Sequence, residues 1–243
     1  TGWESRTLPG INFKPRIYVS RSGVLLFTVR GSYSLKTPGQ MVDTKELGKN
    51  GIREDRPEYE GEVTKKYTYH DYLELPEEPG YRFEILDGQL VKEPSPNVYH
   101  QRVSRRLQRN LEDYFWEVDP EGEVFNAPLD VSFGDDSVVQ PDFFFITGKQ
   151  KAIVEKNRID GVPTLVVEVI SPSTESKDRF RKMQIYQRVK VKHYWLANPK
   201  TLECYSIQNG LYNLIAIGIE EAVVNHPKFT ELEIYLKSLF SDN

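Results

Sequence analysis

The clearest helical pattern in the sequence lies between residues 98 and 117. Its apolar residues stand three or four positions apart, which places them on one face of an α-helix: Val103, Leu107, Leu111 and Tyr114. A second helix is predicted over about residues 174–189 from the same spacing: Ile185, Tyr186 and Val189. Thr68 precedes a third, shorter pattern and has the residue type of an N-cap.

Strand patterns fill most of the remaining sequence after residue 80. They are YRFEILDG, QLVKEP, EVFNAPLDVSF, VVQPDFFFI, PTLVVEVIS, HYWLANP, TLECYSI and LYNLIAI. Asp87-Gly88 and Asn209-Gly210 each separate two such runs and predict tight hairpins. Because helices and strands alternate along the chain, we expect a mixed α/β fold, with one mixed sheet of about four or five strands flanked by helices.

The first part of the chain differs in its residue pattern from the rest. The segments RIYVS and VLLFTVR flank Arg21-Ser22-Gly23 and favour a hairpin, but the following stretch TPGQMVDTKELGKNGIREDRPEYEGEV is polar and interrupted by Pro and Gly. We therefore expect an N-terminal arm or linker over residues 1–62 and one folded domain over residues 63–243.

Composition excludes several classes of protein. With 243 residues, 38% of them hydrophobic, the chain can bury a substantial core. The formal charge of −4 argues against a protein that coats nucleic acid by overall attraction. Cys204 is the one cysteine, so neither a disulfide framework nor a cysteine zinc site can form within one chain. The apolar run GVLLFTV is too short to span a bilayer, and we expect a cytoplasmic protein with no membrane partner.

Two acidic residues stand where apolar strands are predicted. Asp142 directly precedes the run FFFI, and Glu168 lies inside the run LVVEVI. A buried carboxylate is costly unless it is paired, and two carboxylates on neighbouring strands repel each other unless a cation neutralises them. Oxygen ligands without an adjacent Cys or His favour magnesium or manganese over zinc. The pattern therefore predicts a hard divalent metal between these two strands.

Lys182 projects from the apolar face of the second predicted helix, with Asp178 one turn earlier. A lysine that points inward should be paired with a carboxylate. Such an amine can position or deprotonate an attacking water, or neutralise charge that develops on a phosphate. Two simpler explanations stay open: the stem of Lys182 lines the core while its charge reaches water, and Asp178 only supports Lys182 or caps the helix.

These residues carry a resemblance to a known family. The pattern resembles the Uma-two-type endonucleases of the PD-(D/E)XK restriction-endonuclease-like superfamily over roughly residues 64–240. The matching residues are Tyr81 to Glu84, Asp87-Gly88, His100, Val139 to Asp142, Val167 to Thr174, Asp178, Lys182, Tyr186 and Tyr194-Trp195. The resemblance implies a restriction-endonuclease-like mixed sheet flanked by helices and a metal centre at its edge.

The resemblance also implies residue roles. Asp142 and Glu168 would bind magnesium or manganese, with the backbone carbonyl of Val169 as a further ligand, and Glu84 would add an acidic group to the metal shell. One position departs from the superfamily pattern, because its usual lysine lies two residues after the Glu and this chain has Ile170 there. Lys182 is the residue expected to replace that lysine in space.

Basic residues near this predicted centre suggest contacts with nucleic acid. Arginines lie on the polar face of the first long helix, and another lies on the second helix; those assigned to nucleic acid are Arg102, Arg106, Arg109 and Arg179. The alternative is a solvated helix face, which the interruption by Glu112 and Asp113 favours. Two basic helices beside an acidic centre would suit duplex DNA, whose backbone supplies most of the binding energy.

The function predicted from these observations is metal-dependent hydrolysis of DNA phosphodiester bonds by an endonuclease, with Asp142, Glu168, Lys182 and Glu84 as the catalytic set. Two alternatives belong to other classes. One is a nucleic-acid-binding module that kept the fold without catalysis, which Ile170 favours. The other is a structural or protein-interaction domain. The sequence leaves open DNA against RNA, the preferred site, and whether a homodimer forms to cut both strands.

Overall fold

A computed structural model gives the structure of the protein, and it describes residues 65–171 and 177–241 together with the backbone of three short strands near the start. Most of the predicted arm, and residues 172–176, where the sequence predicts the start of the second helix, lie outside the described residues. The chain divides into two units, Thr1–Tyr59 and Glu60–Asn243. In the first unit three strands form an antiparallel sheet: β1 (Glu4–Arg6), β2 (Ile17–Val19) and β3 (Leu25–Phe27).

The second unit is built on mixed β-sheets. Its strands are β4 (Tyr81–Leu86), β5 (Gln89–Pro94), β6 (Glu123–Asn126), β7 (Asp130–Ser132), β8 (Val138–Val139), β9 (Phe143–Ile146), β10 (Arg158–Asp160), β11 (Leu165–Val169), β12 (His193–Asn198), β13 (Thr201–Gln208), β14 (Leu211–Ile219), β15 (Val223–Asn225) and β16 (Glu233–Tyr235). Six strands form one sheet in the order β14-β13-β12-β11-β9-β6, and five form another in the order β10-β7-β8-β4-β5. β15 and β16 pair separately.

The sequence predicts one sheet of about four or five strands, the number that is usual for sheets. The second unit instead has two large sheets, one of six strands and one of five. The sequence run EVFNAPLDVSF divides between the two sheets, because β6 ends before Pro128 and β7 begins after it. The short strand β10 interrupts a stretch that the sequence pattern predicts as a loop, and it pairs in parallel with β7. The mixed α/β fold class with helices beside the sheets is confirmed.

The helices of the second unit are α1 (Tyr69–Leu73), α2 (Val98–Val118), α3 (Met183–Arg188) and α4 (Leu236–Leu239). A 3₁₀ helix covers Gly148–Ile153, and a π-helical segment, Lys177–Lys182, continues into α3. Thr68 caps α1, since its side chain accepts a hydrogen bond from the backbone N–H of Asp71. Among the described helices none is long and apolar enough to cross a membrane.

Both hairpins predicted for the second unit are present. Leu86 pairs with Gln89 across the Asp87-Gly88 turn, and Gln208 pairs with Leu211 across the Asn209-Gly210 turn. All four turn residues have a positive φ, the conformation that a two-residue type I′ turn requires and that Gly, Asn and Asp tolerate. These turns fix the register of the β4–β5 and β13–β14 pairs.

The central strands of the six-stranded sheet are buried on both faces. Odd-numbered residues of β9, β11 and β12 pack with the apolar face of α2 and with α4, and the aromatic ring of Phe115 stacks on Phe145 at a centroid distance of 3.6 Å. Even-numbered residues of the same strands pack towards α3 and the five-stranded sheet. Because side chains alternate along a strand, even-numbered Asp142 and Glu168 belong to the second face.

Candidate active site

Asp142 and Glu168 meet across two antiparallel strands. Phe143 of β9 is level with Val167 of β11, so the residue before the first and the residue after the second face each other. A direct contact fixes the approach, because the backbone N–H of Val169 donates a hydrogen bond of 2.7 Å to Oδ2 of Asp142. Both acidic side chains are almost completely buried, at 4% and 1% exposure.

Asp142 is surrounded by donors. His100 Nε2 lies 3.0 Å from Oδ2, and Arg82 Nη1 lies 3.6 Å from Oδ1. Burial alone would raise the pKa of Asp142, but the hydrogen bond and charge of His100, the charge of Arg82 and the N–H of Val169 outweigh it and lower the pKa. Asp142 is therefore held as a carboxylate.

Glu168 has a different environment. Its Oε1 atom accepts hydrogen bonds from Lys182 Nζ at 3.0 Å and from the Tyr186 hydroxyl at 2.8 Å. Burial nevertheless raises the pKa of Glu168 to about 8, and the negative charges of Asp178, Asp142 and Glu84 add to the effect against the charge of Lys182. At Glu168, burial and these like charges therefore outweigh the charge of Lys182.

Lys182 links three carboxylates in the interior of the protein. Its Nζ atom lies 2.8 Å from Glu84 Oε1, 3.0 Å from Glu168 Oε1 and 3.8 Å from Asp178 Oδ1, and the side chain has no exposure. Burial would lower the pKa of the amine, but these carboxylates raise it well above the ordinary value. Lys182 is thus an ammonium group.

Glu84 connects the two sheets at this point. It lies on β4 of the five-stranded sheet, and its Oε1 accepts a 2.8 Å hydrogen bond from the backbone N–H of Gln140, where the chain passes from β8 to β9. Burial would raise its pKa, but Lys182, Lys177 and Arg82 lower the pKa to about 2. Glu84 is therefore a carboxylate whose charge is compensated by nearby cations.

A further layer of charged residues surrounds Glu84. Lys177 lies 3.3 Å from Glu84 Oε2 and 3.4 Å from Asp178 Oδ1, and it also contacts Glu93. Arg82 lies 3.4 Å from Glu93 Oε2, in addition to its contact with Asp142. Among the described residues, the cluster places five acidic side chains against three basic ones and His100: Glu84, Glu93, Asp142, Glu168 and Asp178 against Arg82, Lys177 and Lys182.

A sequence model of the family described as "Uma2: Putative restriction endonuclease" matches residues 69–237, which is more than half of the chain. The chain belongs to the Uma2 family. This match covers every strand and helix that forms the cluster, and it confirms the resemblance seen in the sequence around Asp142 and Glu168.

The Uma2 chain also has counterparts among solved structures. The crystal structure of "a putative nuclease belonging to DUF820 from Anabaena variabilis ATCC 29413" is 22% identical, with a TM-score of 0.57, over 71% of this chain and 97% of that chain. At this identity the likeness shows a shared fold. The type IIG restriction endonuclease BpuSI is 22% identical over 46% of this chain and 12% of that chain, and its TM-score of 0.31 supports no argument. No curated protein sequence matches the chain.

Of the residues assigned from the sequence of this Uma2 chain, Asp142, Glu168, Lys182 and Glu84 come together in one cluster, with the backbone of Val169 beside Asp142. Ile170 points into the apolar core and is 5% exposed, so no charged group enters the site from that position. Lys182 contacts Glu168 instead, a position consistent with its replacing the superfamily's usual lysine in space. The roles of these residues stay predictions.

The four arginines assigned to nucleic acid have different surroundings. Arg106 donates hydrogen bonds to the carbonyls of Leu239 and Ser241, and Arg179 binds both carboxylate oxygens of Glu203. Arg109 lies on the exposed surface near Asp113. Arg102 lines a cleft of about 470 Å³ that leads to Asp142. Contact with nucleic acid stays a prediction for all four, and the geometry favours Arg102.

Sequence reasoning assigned no site role to Arg82, Glu93, Lys177 or His100, although Arg82 and His100 are among the residues that carry the resemblance. A signal for two of them was present, because the two-residue turn at Asp87-Gly88 fixes a register in which Arg82 is level with Glu93. His100 has no comparable signal. It lies in the first turn of α2, where the side chain of Asn97 accepts a hydrogen bond from its backbone N–H, and only the tertiary fold brings that turn to Asp142.

Proposed function

We propose that this Uma2 chain is an endonuclease that hydrolyses DNA phosphodiester bonds with the help of a divalent metal. One observation carries the proposal: Asp142, Glu168 and Lys182, which are far apart in the sequence, meet in one buried cluster, and Asp142 of this cluster lines a cleft of about 470 Å³. Membership of a family described as a restriction endonuclease supports nuclease chemistry, and DNA is the substrate class that this description implies.

The residues of the cluster fit magnesium or manganese. Among the described residues no three His, Cys, Asp or Glu side chains stand together as a complete metal site. Mg²⁺ does not require one, since it is usually bound through one or two carboxylates while water and substrate phosphates fill the other positions. The raised pKa of Glu168 supports the fit, because burial, its main cause, disfavours the charged form, the charges of Asp178, Asp142 and Glu84 add to the effect, and a bound cation would offset both. Asp142 and Glu168 would hold the ion, with the carbonyl of Val169 as a further ligand.

When bound, a divalent ion supplies a Lewis acid for the phosphate and lowers the pKa of a coordinated water. The protein's own residues prepare the site. His100 and Val169 hold Asp142 as an oriented carboxylate. Lys182 and Tyr186 fix Oε1 of Glu168.

Lys182 acts as a positioning residue in this proposal. It is completely buried and stays protonated, so it does not take a proton from water. Glu84 holds Lys182 from the other sheet, and its two oxygens already contact Lys182, Lys177 and the backbone N–H of Gln140, which favours this role over a place in the metal shell.

Nicking of supercoiled plasmid DNA by the purified protein tests the proposal. We expect nicking in Mg²⁺ or Mn²⁺, none in EDTA, and a loss of about 100-fold or more in Asp142→Asn and Glu168→Gln, since metal assistance contributes several kcal/mol to such reactions. Asp113→Asn is the matched control, because Asp113 is an exposed carboxylate on α2 outside the cluster. Equal activity in Asp142→Asn and Asp113→Asn would contradict the proposal.

A second function, DNA binding without cleavage, is favoured by the buried Ile170 at the position where the superfamily has lysine. The same plasmid experiment separates the two functions. Retention of plasmid by the wild-type protein without nicking, in Mg²⁺ and in Mn²⁺, would favour the binding module.

A further inference from the structure

The cleft beside Asp142 is lined mainly by hydrogen-bond donors. It has a volume of about 470 Å³ and lies between the first turns of α2 and the Asn126-Ala127 segment. Its inner end holds His100 and Asp142. Gln101, Arg105 and Gln108 are four and three positions apart on α2, so they form one ridge along its wall. Among the described residues of the lining, Asp142 is the one carboxylate.

Arg105 is available for a ligand. Its side chain is exposed, and it makes no hydrogen bond or ion pair with any residue that the structure describes. Arg106, the next residue, is instead bound to the carbonyls of Leu239 and Ser241. The stripe of arginines on α2 is therefore not uniform, and Arg105 and Arg102 are the members of it that line the cleft.

His100 adds an independent indication of a ligand. The residue is 8% exposed, and its Nε2 contacts Asp142. Its Nδ1 atom is buried and has no hydrogen-bond partner within the described part of the chain. A buried polar atom without a partner is unfavourable, and a polar group that enters the cleft can supply the missing contact.

From these observations we infer that the cleft binds the phosphate group next to the scissile one on the DNA strand, with Arg105 as its main contact, Arg102 beside it and His100 at the inner end. This inference rests on the proposed function. Donors of this kind suit phosphodiester oxygens, because guanidinium groups bind them through two N–H groups. A contact to the backbone positions the strand without selecting its sequence.

The test is the salt dependence of DNA binding, measured by fluorescence anisotropy with a short labelled duplex in EDTA, so that no cleavage occurs. The plot of log K against log salt concentration has a slope that grows by about 0.9 for each phosphate neutralised. We expect Arg105→Ala to weaken binding about tenfold and to reduce the slope by about 0.9, equally for unrelated duplex sequences. Arg105→Lys should keep the slope, since it keeps the charge.

Two further variants sharpen the comparison. Lys156→Ala removes an exposed charge outside the cleft and controls for net charge. Arg109→Ala, one turn farther along α2, measures the alternative that the whole stripe binds DNA. In plasmid nicking, Arg105→Ala should raise KM and leave kcat near the wild-type value, because the contact is made equally in the ground state and the transition state.

Three results would overturn the inference. The first is a slope that is unchanged in Arg105→Ala. The second is a slope that Arg109→Ala or Lys156→Ala reduces as much as Arg105→Ala does. In both cases metal-dependent nicking by the wild-type protein would leave the proposed function standing. The third is the absence of duplex binding by the wild-type protein, which overturns the inference, and the plasmid experiment then decides the proposed function separately.

Discussion

The side chains of Lys182 and Glu84 form an ion pair with no exposure to solvent, in which Nζ lies 2.8 Å from Oε1. The pair joins the two sheets, because Glu84 belongs to β4 and Lys182 contacts Glu168 of β11. Burying two charges as an ion pair is costly. Removing one partner by mutation is also strongly destabilising, since the other is then left as an uncompensated buried charge.

Replacement of Lys182 should therefore destabilise the protein strongly. We expect Lys182→Met to reduce the free energy of unfolding by about 3–5 kcal/mol, since Glu84 and Asp178 lose their shared counter-ion and Glu168 loses a hydrogen-bond donor. Urea denaturation monitored by circular dichroism measures the change. Lys192→Met, at an exposed position, is the control. A reduction no larger than that of the control would show that Lys182 does not hold the cluster together.

Metal affinity should rise with pH. At neutral pH Glu168 is largely protonated, because its pKa is raised to about 8, and a metal ion has to displace that proton. We expect Mn²⁺ affinity, measured by isothermal titration calorimetry, to increase up to about tenfold per pH unit below pH 8 and then to level off. Glu168→Gln should bind more weakly and lose this dependence. Equal wild-type affinity at pH 6.5 and 8.5 would argue against Glu168 as a ligand.

Acid should destabilise the fold through a second pair of residues. Burial, with help from nearby positive charges, lowers the pKa of His193 and of His226 to about 4. Because an unfolded histidine titrates near pH 6.5, the unfolded state takes up protons first, so this stability is complete above pH 6.5 and is lost as pH falls towards 4.

The measurement is urea denaturation at pH 7 and pH 5. The contribution of His193 to the free energy of unfolding should fall by up to about 2 kcal/mol between these pH values, because a difference of one pKa unit between the folded and unfolded states corresponds to about 1.4 kcal/mol. His193→Gln should lose less stability between the two values than the wild-type protein, and the exposed variant His70→Gln should behave like the wild type. The same loss in all three proteins would exclude His193 as a source of the acid sensitivity.

The contact between α2 and the six-stranded sheet should depend on Phe115. Its ring stacks on Phe145 with an interplanar angle of 3°, and the residue is 5% exposed. Phe115→Ala should reduce the free energy of unfolding by about 3–5 kcal/mol, because it leaves a cavity in the core. The neighbouring Trp116 is 72% exposed, and Trp116→Ala should change stability by less than about 0.5 kcal/mol. Thermal unfolding of both variants makes the comparison, and similar losses would contradict this packing.

Local patterns were sufficient to predict several elements of the fold. The spacing of apolar residues gives α2 to within one residue at its end, since the structure has Val98–Val118. Asp87-Gly88 and Asn209-Gly210 give both hairpins, because few residue types tolerate the positive φ of these turns. The approach of Asp142 to Glu168 was also predictable, since a carboxylate inside a buried strand needs a partner.

Other features depend on contacts between distant parts of the chain. The division of strands between two sheets has no local signal, because alternation of side chains is the same in both. The short strand β10 is formed by its parallel pairing with β7, twenty-eight positions away in register, as Asp130 is level with Arg158. His100 and Lys177 reach the cluster only through the packing of helical segments on the sheets, and single-residue patterns do not encode such packing.

A crystal of the protein soaked in Mn²⁺ and measured at a wavelength with manganese anomalous signal tests the central claim most directly. The account predicts an anomalous peak coordinated by one oxygen of Asp142 and one of Glu168, and the loss of that peak in Asp142→Asn. The account would be contradicted if Asp142 and Glu168 were well ordered with no anomalous peak between them, and if His100 and Lys182 kept their contacts to the two carboxylates.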